Sequence, residues 1–308
     1  MLRREFNLAL ASWVAVSGAG GRAQASAVGT PDSERPPFFW VISRGDARVY
    51  LAGFAGAPAG DVSWFAPMQK GFDESSELWL EVSPARPWDK GDPALEELRH
   101  EQNRTFFDAL EPSTRARVQA IMSRLSIKQE EVEKLRPWAA YYVIARAYWE
   151  QSKNVRQELN TGEFISGLAA KQNKAVHWEL PTRLDEFRSF ASMSDKAQSQ
   201  YIDWLLDYCE DEDKGINKDE LAWRNGAPTA NWRNLNRMRS QYPELYHFMQ
   251  PMRNLWWSQK ISGFLTKGGS YFIGIGMLHV LGPDGIPATL LKHGFVPAEH
   301  LRKATPSA

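Results

Sequence analysis

"YFIGIGMLHVLGPDG", residues 271–285, opens as an apolar run broken by glycines and then turns, through Met277 and Leu278, onto a histidine. Tyr271, Phe272, Ile273 and Ile275, punctuated by Gly274 and Gly276, read as a buried strand. The "GPDG" that follows reads as a turn, and "IPATLLKHG" after it as a helix. A second stretch near the other end, "VYLAGFAG", residues 49–56, has the same plan of buried strand and small-residue turn. The first ends on His279 and the second on Gly56, so only one of them offers an imidazole to a metal or a proton.

Between these ends the pattern changes. "FFWVIS" and "RVYLAGF" flank a turn at "RGDA" and predict a hairpin, and "ELWLEVSP" (77–84) predicts a further strand closed by Pro84. From about residue 93 to 265 apolar residues recur at helical spacing. "PSTRARVQAIMSRL" predicts a helix capped by Ser113, with Val118, Ile121 and Leu125 on one face; "RPWAAYYVIARAYWEQ" predicts a buried helix opened by Pro137. "TGEFISGLAAKQNK" predicts a helix feeding a strand "AVHWEL" (175–180), and "SDKAQSQYIDWLLDYCE" a helix capped by Ser194. A long helix is expected through "PELYHFMQPMRNLWWSQKISGFL", perturbed at Pro251. Strands at both ends with a mostly helical middle predict an α/β class: one central β-sheet built from N- and C-terminal strands, with helices packed around it. The expected limits of this single domain are residues 38–302.

Residues 1–25 read as a signal peptide, with a basic start "MLRREF", a mildly apolar core and the small-residue site "AQA". Arg3, Arg4 and Phe6 also suit a twin-arginine export signal. Residues 26–37, "SAVGTPDSERPP", read as a flexible leader. The expected location is therefore periplasmic or secreted, with no transmembrane anchor in the mature chain. Lysine plus arginine equals aspartate plus glutamate at 37 each; losing Arg3, Arg4, Arg22 and Glu5 leaves 34 basic and 36 acidic residues. A neutral chain gives no field to draw nucleic acid. A lone cysteine, Cys209, excludes an internal disulfide framework and reads as a small buried residue. The thirteen tryptophans, among them Trp138, Trp149, Trp204 and Trp256, read as packing residues. The acidic stretch "EDEDKGINKDE" (210–220) has its Gly215 one place early for a calcium loop and reads as a solvated loop.

Polar residues inside apolar elements are the candidate site. His279 stands where a strand end breaks into a turn, placed for ligation or proton exchange, or simply bonded to a nearby carbonyl. Glu81 is the one charge in "LWLEV": in a central strand it needs a cation, a metal or strong donors, in an edge strand only solvent. Glu179 in "VHWEL" poses the same choice, with His177 two residues before it. Arg253 and Asn254 interrupt an apolar helix face in "PMRNLWW", and an arginine there suits a buried carboxylate, with Glu81 the expected partner.

Taken in order, "VYLAGFAG", "LWLEV", "LRPW" (135–138), "AVHWEL", "RNLWW" and "GMLHVLGPDG" followed by "HGF" make the chain resemble the TraB/GumN family, relatives of the Tiki membrane metalloproteases and more distantly of ChaN and erythromycin-esterase-like folds. The resemblance covers nearly all of the mature chain. It implies two Gly-x-x-His motifs converging at strand ends, associated in the Tiki branch with divalent-metal-dependent peptide hydrolysis, with a strand glutamate and a helix arginine and asparagine. By position these are Gly276 to His279, Glu81, Arg253 and Asn254, with Glu81 and His279 as the implied ligands of manganese, cobalt or zinc. The first motif runs from Gly53 to position 56, which is glycine; a second departure is Gly226 followed by Ala227, where the family often shows glycine and then aspartate. Two expectations follow: a degenerate, non-catalytic domain that keeps the family cleft for a peptide, glycan or protein partner, with metal weakly bound or absent, or an active metal-dependent peptidase-type hydrolase using Glu81, His279 and an unrecognised ligand.

Overall fold

A computed structural model describes residues 38–54, 66–82, 92–151, 161–214, 229–295 and 298–299. Six strands form one sheet: β1 (Phe39–Arg44), β2 (Ala47–Phe54), β3 (Glu77–Val82), β4 (Ala175–Leu180), β5 (Ser270–Gly276) and β6 (Ala298–Glu299), in the order β4-β3-β5-β2-β1-β6. β1 and β2 are the expected hairpin, closed by Gly45 at φ +57°. β2, β5, β3 and β4 run parallel to one another, while β6 adds antiparallel to β1. β5, from near the chain's end, lies between β3 and the hairpin strand β2, so strands from both ends of the chain meet in the sheet's middle. Strand β4 joins them from inside the helical region.

Strands covered on both faces read as continuous apolar runs because neither face meets water. Helix α1 (Ala66–Glu74) and helix α5 (Thr161–Lys171) cover one face, where Phe72 meets Phe272 edge-on at 5.5 Å and Ile165 lies against Gly274. Helix α10 (Arg253–Lys267) covers the other, where Phe264 stacks on Tyr271 at 4.1 Å. A second core gathers α2 (Pro93–Arg99), α3 (Pro112–Leu125), α4 (Pro137–Gln151), α6 (Arg183–Ala191), α7 (Asp195–Asp213), α8 (Thr229–Gln241) and α9 (Pro243–His247). Tyr141 of α4 stacks on Tyr201 of α7 at 4.0 Å, and Arg117 of α3 reaches Asp203 and Asp207 of α7 at 2.9 and 2.6 Å. Cys209 is buried in α7.

Four local expectations are corrected. The cap of α3 is Glu111, with Pro112 at the first helical position, so Ser113 already lies inside the helix. The acidic stretch is not all loop: its residues 210–213 form the last turn of α7, where Glu210, Asp211 and Asp213 pair with arginines of other helices; residues 215–220 lie outside the described residues. Pro251 does more than perturb a continuous helix. With no N–H to donate, it sits in a wider π turn, Phe248–Met252, that separates α9 from α10. Trp256 departs from the packing expectation: it is 38% exposed, whereas Trp138 and Trp149 are buried.

Candidate functional site

In a parallel sheet the carboxyl ends of adjacent strands meet at one rim, and side chains there are gathered from distant parts of the chain. Glu81 and Glu179 are both the penultimate residues of their strands, and the register that pairs Leu80 with Trp178 and Val82 with Leu180 places them side by side. β5, on the other side of β3, ends at Gly276 and passes into a 3₁₀ turn, Met277–Val280, that carries His279. The π turn swings the start of α10 over the same rim, delivering Arg253 and Asn254.

Arg253 is the hub. Its Nε and Nη2 donate to Glu179 at 2.9 and 2.5 Å, a bidentate pair, and Nη2 also approaches Glu81 Oε2 at 3.5 Å. Its Nη1 stands 3.4 Å from His279 Nε2. The Trp257 indole donates a further bond to Glu179 at 2.9 Å. The expected pairing of Glu81 with Arg253 is thus the longer contact, and Glu179 is the principal partner. Glu81 is held instead by a backbone donor, the Gly276 N–H at 2.5 Å from Oε1.

Asn254 fixes the tautomer of His279. Its Nδ2 donates to the Asp284 carbonyl at 2.7 Å, a group that can only accept, so its Oδ1 faces His279 Nδ1 at 2.6 Å. The proton therefore resides on Nδ1, and the Nε2 lone pair points toward Arg253 and Glu81. Tyr246 anchors the turn from outside by donating to the Asp284 carboxylate at 2.9 Å.

The cluster is dry. His279 is fully buried and Glu81 is 4% exposed. Burial raises the pKa of Glu81 from the ordinary 4.5 to about 7; the charge of Arg253 opposes the rise, that of Glu179 adds to it, and the Gly276 N–H opposes it again. His279 is pushed well below the usual imidazole range by burial and then by the neighbouring guanidinium. The 3.6 Å separation between its Nε2 and Glu81 Oε1 is consequently a contact of a neutral ring, not an ion pair. Burial alone would lower the value for Arg253, but the two carboxylates more than offset it and keep the guanidinium charged.

The structure brings Glu81, His279, Arg253 and Asn254 together. Gly56, Gly226 and Ala227 lie outside the described residues. What sequence reasoning missed is Glu179 as the main anchor and the donors Gly276 N–H and Trp257 Nε1. Glu179 had a signal, a charge in an apolar strand, but the backbone donor had none.

A family model, the TraB/PrgY/gumN family, matches residues 38–298. The chain belongs to the TraB/PrgY/gumN family. No curated protein and no solved structure matches it. The resemblance implied Glu81 and His279 as ligands of a divalent metal, and the geometry bears on how they fit one. Two donors of suitable type face each other, yet Arg253 nitrogens stand 3.4 and 3.5 Å from these same two side chains. Among the described residues no group of three or more His, Cys, Asp or Glu is placed to hold a metal. A divalent ion about 2.1 Å from His279 Nε2 and Glu81 would share its space with a fixed cation. The described residues as arranged do not fit a divalent ion.

Proposed function

We propose that this family member is an exported domain, periplasmic or secreted, that keeps a cleft at the carboxyl rim of the sheet for a peptide, glycan or protein partner and lacks full metal-dependent hydrolase activity. One observation carries the reading: the Arg253 guanidinium occupies the cationic position between Glu81, Glu179 and His279, where it already meets the charge that a metal would otherwise meet. Glycine at position 56, where the resemblance calls for a histidine, agrees with it. Losing a protein ligand weakens a metal site by more than the ~10- to 100-fold cost of a second-shell loss.

The separation of Glu81 Oε1 and His279 Nε2, 3.6 Å, favours a second reading in which Arg253 withdraws and the chain is a divalent-metal-dependent peptidase-type hydrolase with one further ligand. Metal analysis of the purified mature chain, paired with a peptidase assay in added manganese, cobalt or zinc, separates the two. The expected result is substoichiometric metal and no metal-stimulated cleavage. Stoichiometric metal that disappears in His279→Ala overturns the first reading. Gly56→His is the complement: a lost ligand predicts gained metal affinity on restoration. The mass of the chain recovered from the exporting cell reads the expected cleavage after Ala25.

A further inference from the structure

Among the described residues β4 is paired along one side only. It pairs with β3, and among the described residues no backbone group of Ala175–Leu180 bonds to any other segment. Each of its residues is partly or fully exposed, whereas β2 and β5 beyond it are almost wholly buried. The opposite margin is blunted, since β6 is two residues long. An open edge is a row of unpaired N–H and C=O groups, usually guarded by proline, lysine or a bulge. "AVHWEL" contains neither proline nor lysine, and its register with β3 advances one residue at a time.

The side chains beside this edge are equally unusual. Met252, Leu255 and Trp256 are 52%, 45% and 38% exposed and recur at positions i, i+3 and i+4, so they share one outward face. Two chains of contact tie that face to β4. Trp256 packs at 5.0 Å on Trp257, whose indole bonds Glu179 of β4. Lys260 Nζ lies 5.8 Å from the Trp256 ring and 4.3 Å over Trp79, which stacks at 4.5 Å on His177 of β4. Lys260 enters no ion pair among the described residues, and the Glu77 carboxylate near it accepts from the Trp79 indole at 3.1 Å and lies 3.3 Å from His177.

We propose that β4 accepts an extended polypeptide segment of a partner protein as a seventh strand, with apolar side chains laid on Trp256 and an acidic one toward Lys260. Only a polypeptide backbone supplies donors and acceptors at the spacing of a strand edge; a glycan does not. Glu179, whose carboxylate anchors Arg253, is near the end of the same strand, so such a segment runs alongside the rim cluster. This names the ligand class of the binding function proposed above and rests on that reading only for there being a ligand.

The probe is the peptide acetyl-Glu-Val-Thr-Val-Thr-Val-Glu-amide, compared with the same peptide N-methylated at alternate residues, and read by hydrogen exchange over residues 175–180 and by calorimetry. The expected result is protection of those amides by the first peptide alone, with affinity falling about 10-fold in Trp256→Ala, as for an exposed aromatic anchor, and falling also in Lys260→Glu. Both substitutions are at the surface, so a normal unfolding curve verifies that the fold is intact. Absence of protection, equal binding of the N-methylated peptide, or displacement by a chito-oligosaccharide overturns the proposal. So does a dimer in light scattering whose β4 amides are already protected, which would make the edge a contact between copies. Stoichiometric metal with an intact peptide response removes the non-catalytic reading and leaves the edge proposal standing.

Discussion

At the scale of single residues, Glu81 and Glu179 are two carboxylates under one guanidinium, and their environments divide the roles. Glu179 takes both strong bonds and Glu81 takes a backbone donor, so Glu81 is the one whose charge is poorly met. Its folded value of about 7 lies above the ordinary 4.5, so between these the native state binds a proton that the unfolded state has lost. The associated stability is fully present below pH 4.5 and is lost as pH rises to 7, about 3 kcal/mol at ~1.4 kcal/mol per pH unit. Urea denaturation from pH 5 to 8 should accordingly show wild type falling relative to Glu81→Gln; parallel curves would mean that Glu81 is charged throughout. Glu179→Ala should act differently. It leaves Arg253 buried with one distant carboxylate and should cost about 3–5 kcal/mol at all these pH values. Adding Arg253→Met to it should recover part of that loss, because the stranded charge is gone.

At the scale of elements, the site depends on how closely a turn can approach a strand. A Cβ on Gly53 of β2 would stand 2.6 Å from Val280 Cγ2 and 3.3 Å from the Met277 backbone, so glycine there lets the 3₁₀ turn that carries His279 lie on the sheet. Gly53→Ala should therefore cost about 1–3 kcal/mol in urea denaturation, the range for overpacking. It should also shift the His279 imidazole resonances, a change that a remote destabilising substitution would not make. This close approach also explains what was legible in advance. The strands "RVYLAGF", "ELWLEV", "AVHWEL" and "SYFIGIG" declare themselves by apolar runs with glycine or proline punctuation, and the polar intrusions Glu81, Arg253, Asn254 and His279 declare the site. Partner choice was not legible. Whether Arg253 reaches Glu81 or Glu179 is decided by strand order and by the π turn at Pro251, and a single added residue of helical phase carries no mark in the periodicity. Caps fared unevenly for a related reason: Ser194 does accept from the Ala197 N–H, whereas Pro112 pre-empts Ser113 by starting the helix one residue sooner.

At the scale of the whole molecule, the fold has two apolar cores, one around the sheet and one among the helices, and the turn bearing His279 is sewn into both. Leu278 belongs to the helical core, Met277 and Val280 to the sheet core, and Leu281 packs against each. Tyr246 and Asn254 grip the following Asp284 from the side chain and the carbonyl, so helices α9 and α10 hold the same turn. The rim cluster is thus positioned by the contact between the two cores and not by either alone. Leu278→Ala should open a cavity at that seam and cost about 2–5 kcal/mol. If the cores are one cooperative unit, native-state hydrogen exchange will show the slowest amides of α4 and of β5 losing protection by the same amount, since each then opens only with the whole. If α4 loses protection while β5 keeps it, the helical layer opens independently, and the ordering of Asn254 and His279 would depend on the sheet and α10 alone.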